Sequence, residues 1–214
     1  MELDFAELER AQIYKLLVST VVPRPIALVT TVSPDGIVNT APFSYFNAMS
    51  SKPPLVVLGL EVTDYAPRKD TGDNIRDTGE FVVSLVSEEI APAMNLCAMD
   101  FLAEEDEMAC SGLTPLPSTK VRPPRVKESP VSFECKRMTT LEVGTGNRIV
   151  VGEVVCMHID DAVFDREKFY VDAPAMKLIG RMHGGGWYLK TSDVFNMPRI
   201  AYDDWKADRK EPVS

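Results

Sequence analysis

The sequence predicts a mainly β protein: one antiparallel sheet, closed or nearly closed on itself, with a few short helices inserted. Three observations carry this. Apolar, β-branched runs of strand length recur along the chain, and most are bounded by proline, glycine or asparagine turn chemistry. Two long runs flank a glycine-rich turn, Gly144-Thr-Gly-Asn147, which is the signature of a hairpin. The helical stretches are few and short, so parallel crossover units are not expected. A barrel removes exposed edges and a two-layer sandwich satisfies the same pattern, so the strands alone leave both open.

Taken in order, residues 6–18 place Leu8, Ala11, Ile13, Tyr14, Leu17 and Val18 at near-helical spacing, which predicts a helix. Residues 26–32 read as a strand, Ser33-Pro34-Asp35-Gly36 as a turn, and residues 37–41 as its partner, weakened at Pro42, which has no N–H to give a ladder. Residues 42–51 read as a polar loop. Residues 55–60 are a third strand, after Lys52-Pro53-Pro54. A short helix spans residues 70–78, with Asp70 or Thr71 as cap, Asp73 in its first turn and Gly79 as its stop. Residues 81–86 are a fourth strand, and Ser87 opens a helix reaching Leu96. The proline-rich stretch 112–130 reads as a connection draped over the surface. Residues 131–143 and 149–159 form the final hairpin. No composition shift marks a second core, so the chain reads as a single domain over residues 1–214, with a short N-terminal helix and a C-terminal tail.

Composition narrows the function. The chain has 214 residues, 45% of them hydrophobic and 26% charged, with a net charge of -9. That balance suits a soluble protein with a substantial core. Its acidity disfavours nucleic acid and anionic membranes as partners. No apolar run approaches the roughly 20 residues of a membrane span, and the acidic start is unlike a secretory signal, so the reading is cytoplasmic. The cysteines are Cys97, Cys110, Cys135 and Cys156, with no Cys-x-x-Cys pair. Cys156 and His158 share one strand face, but two ligands do not make a metal site, so no metal is expected.

Neither a P-loop nor a Gly-x-Gly-x-x-Gly fingerprint occurs, and there is no Gly-x-Ser-x-Gly elbow. The informative segment is Ser44, Tyr45, Phe46, Asn47, Ser50 and Ser51. It offers donors, acceptors and flat apolar faces in a run that suits a polar-edged ring with a phosphate tail. It suits equally an ordinary solvated loop. Lys69-Asp70-Thr71 opens a helix, where free N–H groups and the dipole attract a phosphate. Asp70 and Asp73 oppose an anion there unless they cap the backbone. His183 precedes Gly184-Gly185-Gly186, which either lets backbone approach a ligand or is a plain turn.

Several ordered blocks resemble the flavin reductase-like, FMN-binding split-barrel family. They are Pro23-Arg-Pro-Ile-Ala-Leu-Val-Thr-Thr31, Asn39-Thr-Ala-Pro-Phe-Ser-Tyr-Phe-Asn47, Ser50 with Pro53-Pro54, and Lys69-Asp-Thr71 with Asn74-Ile75. Gly79-Glu-Phe-Val-Val83, Gly152-Glu-Val-Val155 and Gly180-Arg-Met-His-Gly-Gly-Gly-Trp-Tyr188 extend the match. The resemblance implies a six-stranded antiparallel split barrel that forms a homodimer around FMN. It places Thr30 and Thr31 near the flavin tail and the 42–51 segment around the ring. It places Lys69, Thr71 and Asn74 on the phosphate, and Arg24 on phosphate or ring. His183 and Tyr188 fall in a block that approaches the flavin, with His183 as the one weak catalytic candidate. Relatives often carry arginine in the middle of the His-Gly-x-Gly run, where this chain has Gly185, which puts a phosphorylated nicotinamide in question. The implied activity is hydride transfer from NADH or NADPH to FMN, then to a small acceptor or a protein partner. The alternatives are an FMN-holding electron carrier and a non-redox binding protein that has lost flavin.

Overall fold

A computed structural model describes residues 1–62, 70–102 and 105–208. Helix α1 spans Arg10–Thr20, later than the apolar spacing indicates. Asp4 caps a separate 3-10 turn over Phe5–Glu7, accepting the Ala6 N–H at 2.9 Å. Gln12 Oε1 then accepts the Glu9 N–H at 2.9 Å and sets the true start of α1. The short strand β1 (Arg24–Pro25) leads to β2 (Ala27–Val32). The turn closes with Ser33 N–H on the Ile37 carbonyl at 2.8 Å, with Gly36 at φ +91°. β3 (Val38–Phe43), β4 (Phe46–Ser51) and β5 (Pro54–Leu60) follow. Helix α2 (Asp70–Thr78) stops at Gly79, whose φ of +73° favours glycine, and β6 covers Glu80–Leu85. Helices α3 (Ala91–Leu96) and α4 (Glu107–Cys110) precede the β7 (Pro115–Leu116) and β8 (Arg125–Val126) pair. The long hairpin is β9 (Val131–Val143) with β10 (Asn147–Ile159). β11 (Phe164–Asp165) pairs β12 (Tyr170–Val171), β13 (Ile179–Arg181) pairs β14 (Tyr188–Lys190), and α5 spans Tyr202–Asp208. Among the described residues no helix is long and apolar enough to cross a membrane.

The main sheet is antiparallel with strand order β3-β2-β6-β9-β10-β5-β4. Its two edge strands, β3 and β4, are consecutive in the chain and joined by Ser44 and Tyr45 alone. A two-residue link spans only about 10 Å, so the sheet must curl until its edges nearly meet. The result is a barrel split between β3 and β4. It holds seven strands where six are expected. The extra one is β4, since residues 46–51 form a ladder with β5 and not the expected loop. Pro42 lies within β3 opposite Leu28 and is tolerated because β3 is an edge.

β2 is buried on both faces, which explains its unbroken apolar reading. Ala27 and Val29 face the barrel interior with Leu58, Ile75, Phe81 and Val150, while Leu28 faces an outer layer with Val86, Met94, Met108 and Val126. Each fully buried side chain of this kind contributes about 1.5–3 kcal/mol. Inside the barrel, Phe81 lies across Gly152, where a Cβ would sit 2.3 Å from the Phe81 Cζ. The large ring thus requires glycine on the neighbouring strand.

Candidate flavin site at the split of the barrel

The corner Ser44–Tyr45 is built by three contacts. The Tyr45 carbonyl accepts the Gly59 N–H at 2.7 Å, and the missing side chain at Gly59 lets the Tyr45 ring lie across β5. Burial, reinforced by Glu61, raises the Tyr45 pKa above its ordinary value, so the phenol is a neutral hydrogen-bonding group. Arg24 Nε donates to Ser44 Oγ at 3.3 Å.

Arg24 is 5% exposed and spent largely on backbone. Its Nη1 donates to the carbonyls of Val18 at 2.6 Å and Val21 at 3.0 Å, and Nη2 to that of Met182 at 2.8 Å. The last carbonyls of a helix lack intrahelical donors, and Arg24 supplies them. One side chain thereby ties α1, the turn after β13 and the split corner together. Its burial disfavours the charged form and holds the Arg24 pKa below its ordinary value.

Thr31, Thr71 and Asn74 do come together, and they bond with one another through a residue the sequence reading did not single out. Asn74 Nδ2 donates to Thr31 Oγ1 at 3.0 Å, and Thr71 Oγ1 donates to Asn39 Oδ1 at 2.8 Å. Asn39 Nδ2 reaches Glu107 Oε1 at 2.5 Å, and the Thr40 N–H reaches Oε2 at 2.9 Å. Burial pushes the Glu107 carboxyl up, against these bonds. Thr30 points to the other face of β2, opposite Thr40, and both hydroxyls are buried without a hydrogen-bond partner. Lys69 lies outside the described residues. A cation stands at the start of α2: the Arg148 guanidinium contacts its first turn, 2.8 Å from where a Gly72 Cβ would be, and pairs with Asp73 at 2.8 Å and Glu142 at 3.2 Å. Only the fold brings Arg148 there, because it lies far along the chain on β10.

On β4, Asn47, Ser50 and Ser51 are exposed, while Phe46 packs on the inner core. Among the described residues β4 pairs only with β5, so its outer edge carries unladdered backbone groups beside these side chains. His183 is exposed, with Nδ1 3.1 Å from the Gly184 carbonyl and its ring 5.7 Å from that of Trp187. It borders an apolar cleft of about 480 Å³ against Tyr14, Lys15 and Val18 of α1. Tyr188 turns away, packing on the outer core and under Arg181 at 4.6 Å.

The donor set fits a flavin. An edge of backbone N–H and C=O groups with amide and hydroxyl side chains matches a ring that has a polar rim. At the start of α2, Arg148 is shared between Asp73 and Glu142, and adds a positive charge to a helix end whose dipole suits a phosphate.

Comparison with known proteins bears on the fold and the family. Residues 18–175 match the family described as "Flavin reductase like domain". An uncharacterised protein of Deinococcus radiodurans is 40% identical, over 95% of this chain and 91% of that protein. The crystal structure of 2-nitrobenzoate 2-nitroreductase NbaA from Pseudomonas fluorescens superposes with a TM-score of 0.86 at 34% identity, covering 94% of this chain and 98% of that one. Nitrilotriacetate monooxygenase component B from Bacillus cereus gives a TM-score of 0.86 at 31% identity, covering 92% and 98%. With its split barrel and this breadth of match, the chain belongs to the flavin reductase like domain family.

Proposed function

We propose that this chain is an FMN-dependent oxidoreductase, cytoplasmic and built as one domain, that takes reducing equivalents from NADH or NADPH. The observation that carries the reading is the row of unladdered backbone and polar side chains along β4, next to the Ser44–Tyr45 corner. Bound there, FMN supplies the redox chemistry, and the protein supplies placement. Asn47, Ser50 and Ser51 hold the ring and ribityl edge, the start of α2 with Lys69 and Arg148 attracts the phosphate, and Arg24 keeps the corner in place. The acceptor is a small molecule or a partner enzyme. A nitroreductase and a monooxygenase component among the similar structures support either class.

The test is a titration of the purified protein with FMN, read by flavin fluorescence quenching, then anaerobic mixing with NADH and with NADPH. Quenching at one FMN per chain and bleaching of the flavin band are expected. A colourless protein that leaves FMN fluorescence unchanged sinks the reading, and binding without bleaching leaves an electron carrier in its place.

We further propose a homodimer. Leu141 on β9 and its ladder partner Ile149 on β10 are 54% and 36% exposed, and Met138 on β9 is 51% exposed on the same hairpin. Exposed apolar side chains gathered on one hairpin suit an interface, and a twofold axis is the commonest way to cover it. Light scattering is expected to give twice the 23.7 kDa chain mass. Met138→Glu with Leu141→Glu should shift the particle to monomer; a monomeric parent protein refutes the assignment.

A further inference from the structure

We infer that Glu134, Cys156 and His158 form a mononuclear site for a borderline transition-metal dication, of which Zn²⁺ is the best fit. The donor atoms of the three residues lie within 4.8 Å of one another. The His158 Nε2 is 2.5 Å from Glu134 Oε1 and 3.7 Å from the Cys156 Sγ. The cluster stands on the outer face of β9 and β10, away from the barrel interior.

A β-bulge creates it. Val154 pairs with Cys135 and Cys156 pairs with Glu134, so Val155 is the extra residue. Without it, Cys156 would face Phe133 and His158 would follow it inward. The bulge therefore turns both side chains out beside the carboxylate, a change that the inner packing of Val154 does not require.

The carboxylate is held ready. Glu134 is fully buried, and its oxygens accept the backbone N–H groups of Thr119 at 2.7 Å, Lys120 at 2.5 Å and Val121 at 3.2 Å. A carboxylate has about four lone-pair directions, so roughly one remains for a ligand at Oε1. Backbone bonds of this sort are the outer support that metal-binding carboxylates have. His158 is the adjustable member. Its single Nε2 faces two acceptor-bearing neighbours and satisfies one of them by donating a proton. Coordination satisfies both: tetrahedral bonds of about 2.0–2.3 Å place donors about 3.3–3.7 Å apart. The sulfur–nitrogen separation already matches, and a small tilt of the ring opens the nitrogen–oxygen pair. Carboxylate and thiolate together neutralise a dication, and one nitrogen, one sulfur and one oxygen suit zinc better than calcium or magnesium. His158 also borders a cleft of about 390 Å³ with Ser132 and Asp160, which gives entry for the ion and room for water as fourth ligand.

The experiment uses Co²⁺, then Zn²⁺, added to the full-length protein. One Co²⁺ per chain is expected, with ligand-field absorption in the red, where oxidised flavin is transparent, and a thiolate-to-cobalt band in the near ultraviolet. Zn²⁺ should bleach both. Cys156→Ser should abolish the thiolate band, and Cys110→Ser should keep it. His158→Ala should weaken Co²⁺ binding by more than the 10- to 100-fold, roughly, that loss of an outer support costs. In the unsubstituted protein, Zn²⁺ should protect Cys156 but not Cys110 from alkylation, as mapped by mass spectrometry. Absence of the bands at equimolar Co²⁺, their survival in Cys156→Ser, or equal alkylation of both thiols with Zn²⁺ overturns the site. None of these readouts depends on flavin binding.

Discussion

Glu134→Ala, measured with a chelator present so that metal plays no part, should lower folding stability by about 3–5 kcal/mol. The carboxylate is fully buried and accepts three backbone N–H groups from the 119–121 segment as well as His158. Alanine strands all four donors. Glu134→Gln retains one oxygen and should lose less, about 1–3 kcal/mol. The pH dependence follows from the same bonds. Burial by itself raises the carboxyl pKa, but the N–H groups and His158 outweigh it and hold the group below the ordinary range. The unfolded chain therefore binds this proton at higher pH than the folded one. The stabilisation is complete above the unfolded value of about 4.3 and is lost as pH falls through the folded value. Urea melts at neutral pH and below pH 4 should show that loss in the parent protein and a flatter profile in Glu134→Gln. Equal acid sensitivity in both would remove Glu134 as the cause.

Arg24→Met should cost about 2–4 kcal/mol, because the carbonyls of Val18, Val21 and Met182 lose a charged donor in a buried place. Arg24→Lys should recover only part of this, since one ammonium cannot serve four acceptors spread over three segments. Limited proteolysis should cut near α1 in Arg24→Met while the barrel stays resistant. FMN and riboflavin affinities should fall together, as the corner loosens. A selective loss of FMN with unchanged stability would make Arg24 a phosphate ligand instead of a tie.

Where side chains answer only to local chemistry, the chain was readable. Residues 131–143 were read as a strand and are β9 from end to end, and the 70–78 helix is α2 between its acidic first turn and Gly79. The 46–51 segment was misread because an edge strand with one exposed side needs no apolar alternation, and its serines and asparagine look like a loop. The 119–121 stretch reads as a solvated connection among basic residues and prolines. Its backbone is anchored on Glu134, a partner no spacing rule connects to it. Among the candidate site residues, Thr31, Thr71 and Asn74 lie together, bonded to one another and to Asn39. Asn39 and Glu107 completed that network unseen, since a buried amide and carboxyl look like surface residues in a linear pattern. Arg24 reads as a charge available to a ligand, and only its burial reveals the carbonyls that occupy it.

The meeting of β3 and β4 at Ser44–Tyr45 also orders the folding reaction. β2 with β3, β4 with β5, and β9 with β10 are hairpins of neighbouring residues, which form on the microsecond scale. Joining β5 to β10 pairs residues about 90 positions apart, the widest closure in the main sheet. The corner lies at the seam between the first hairpin and the second, so it acquires its shape only once this slow, non-local step is over. A ligand seated there has nothing to grip in a partly folded chain. It leaves the folding rate unchanged and slows unfolding, acting as a latch on the finished barrel.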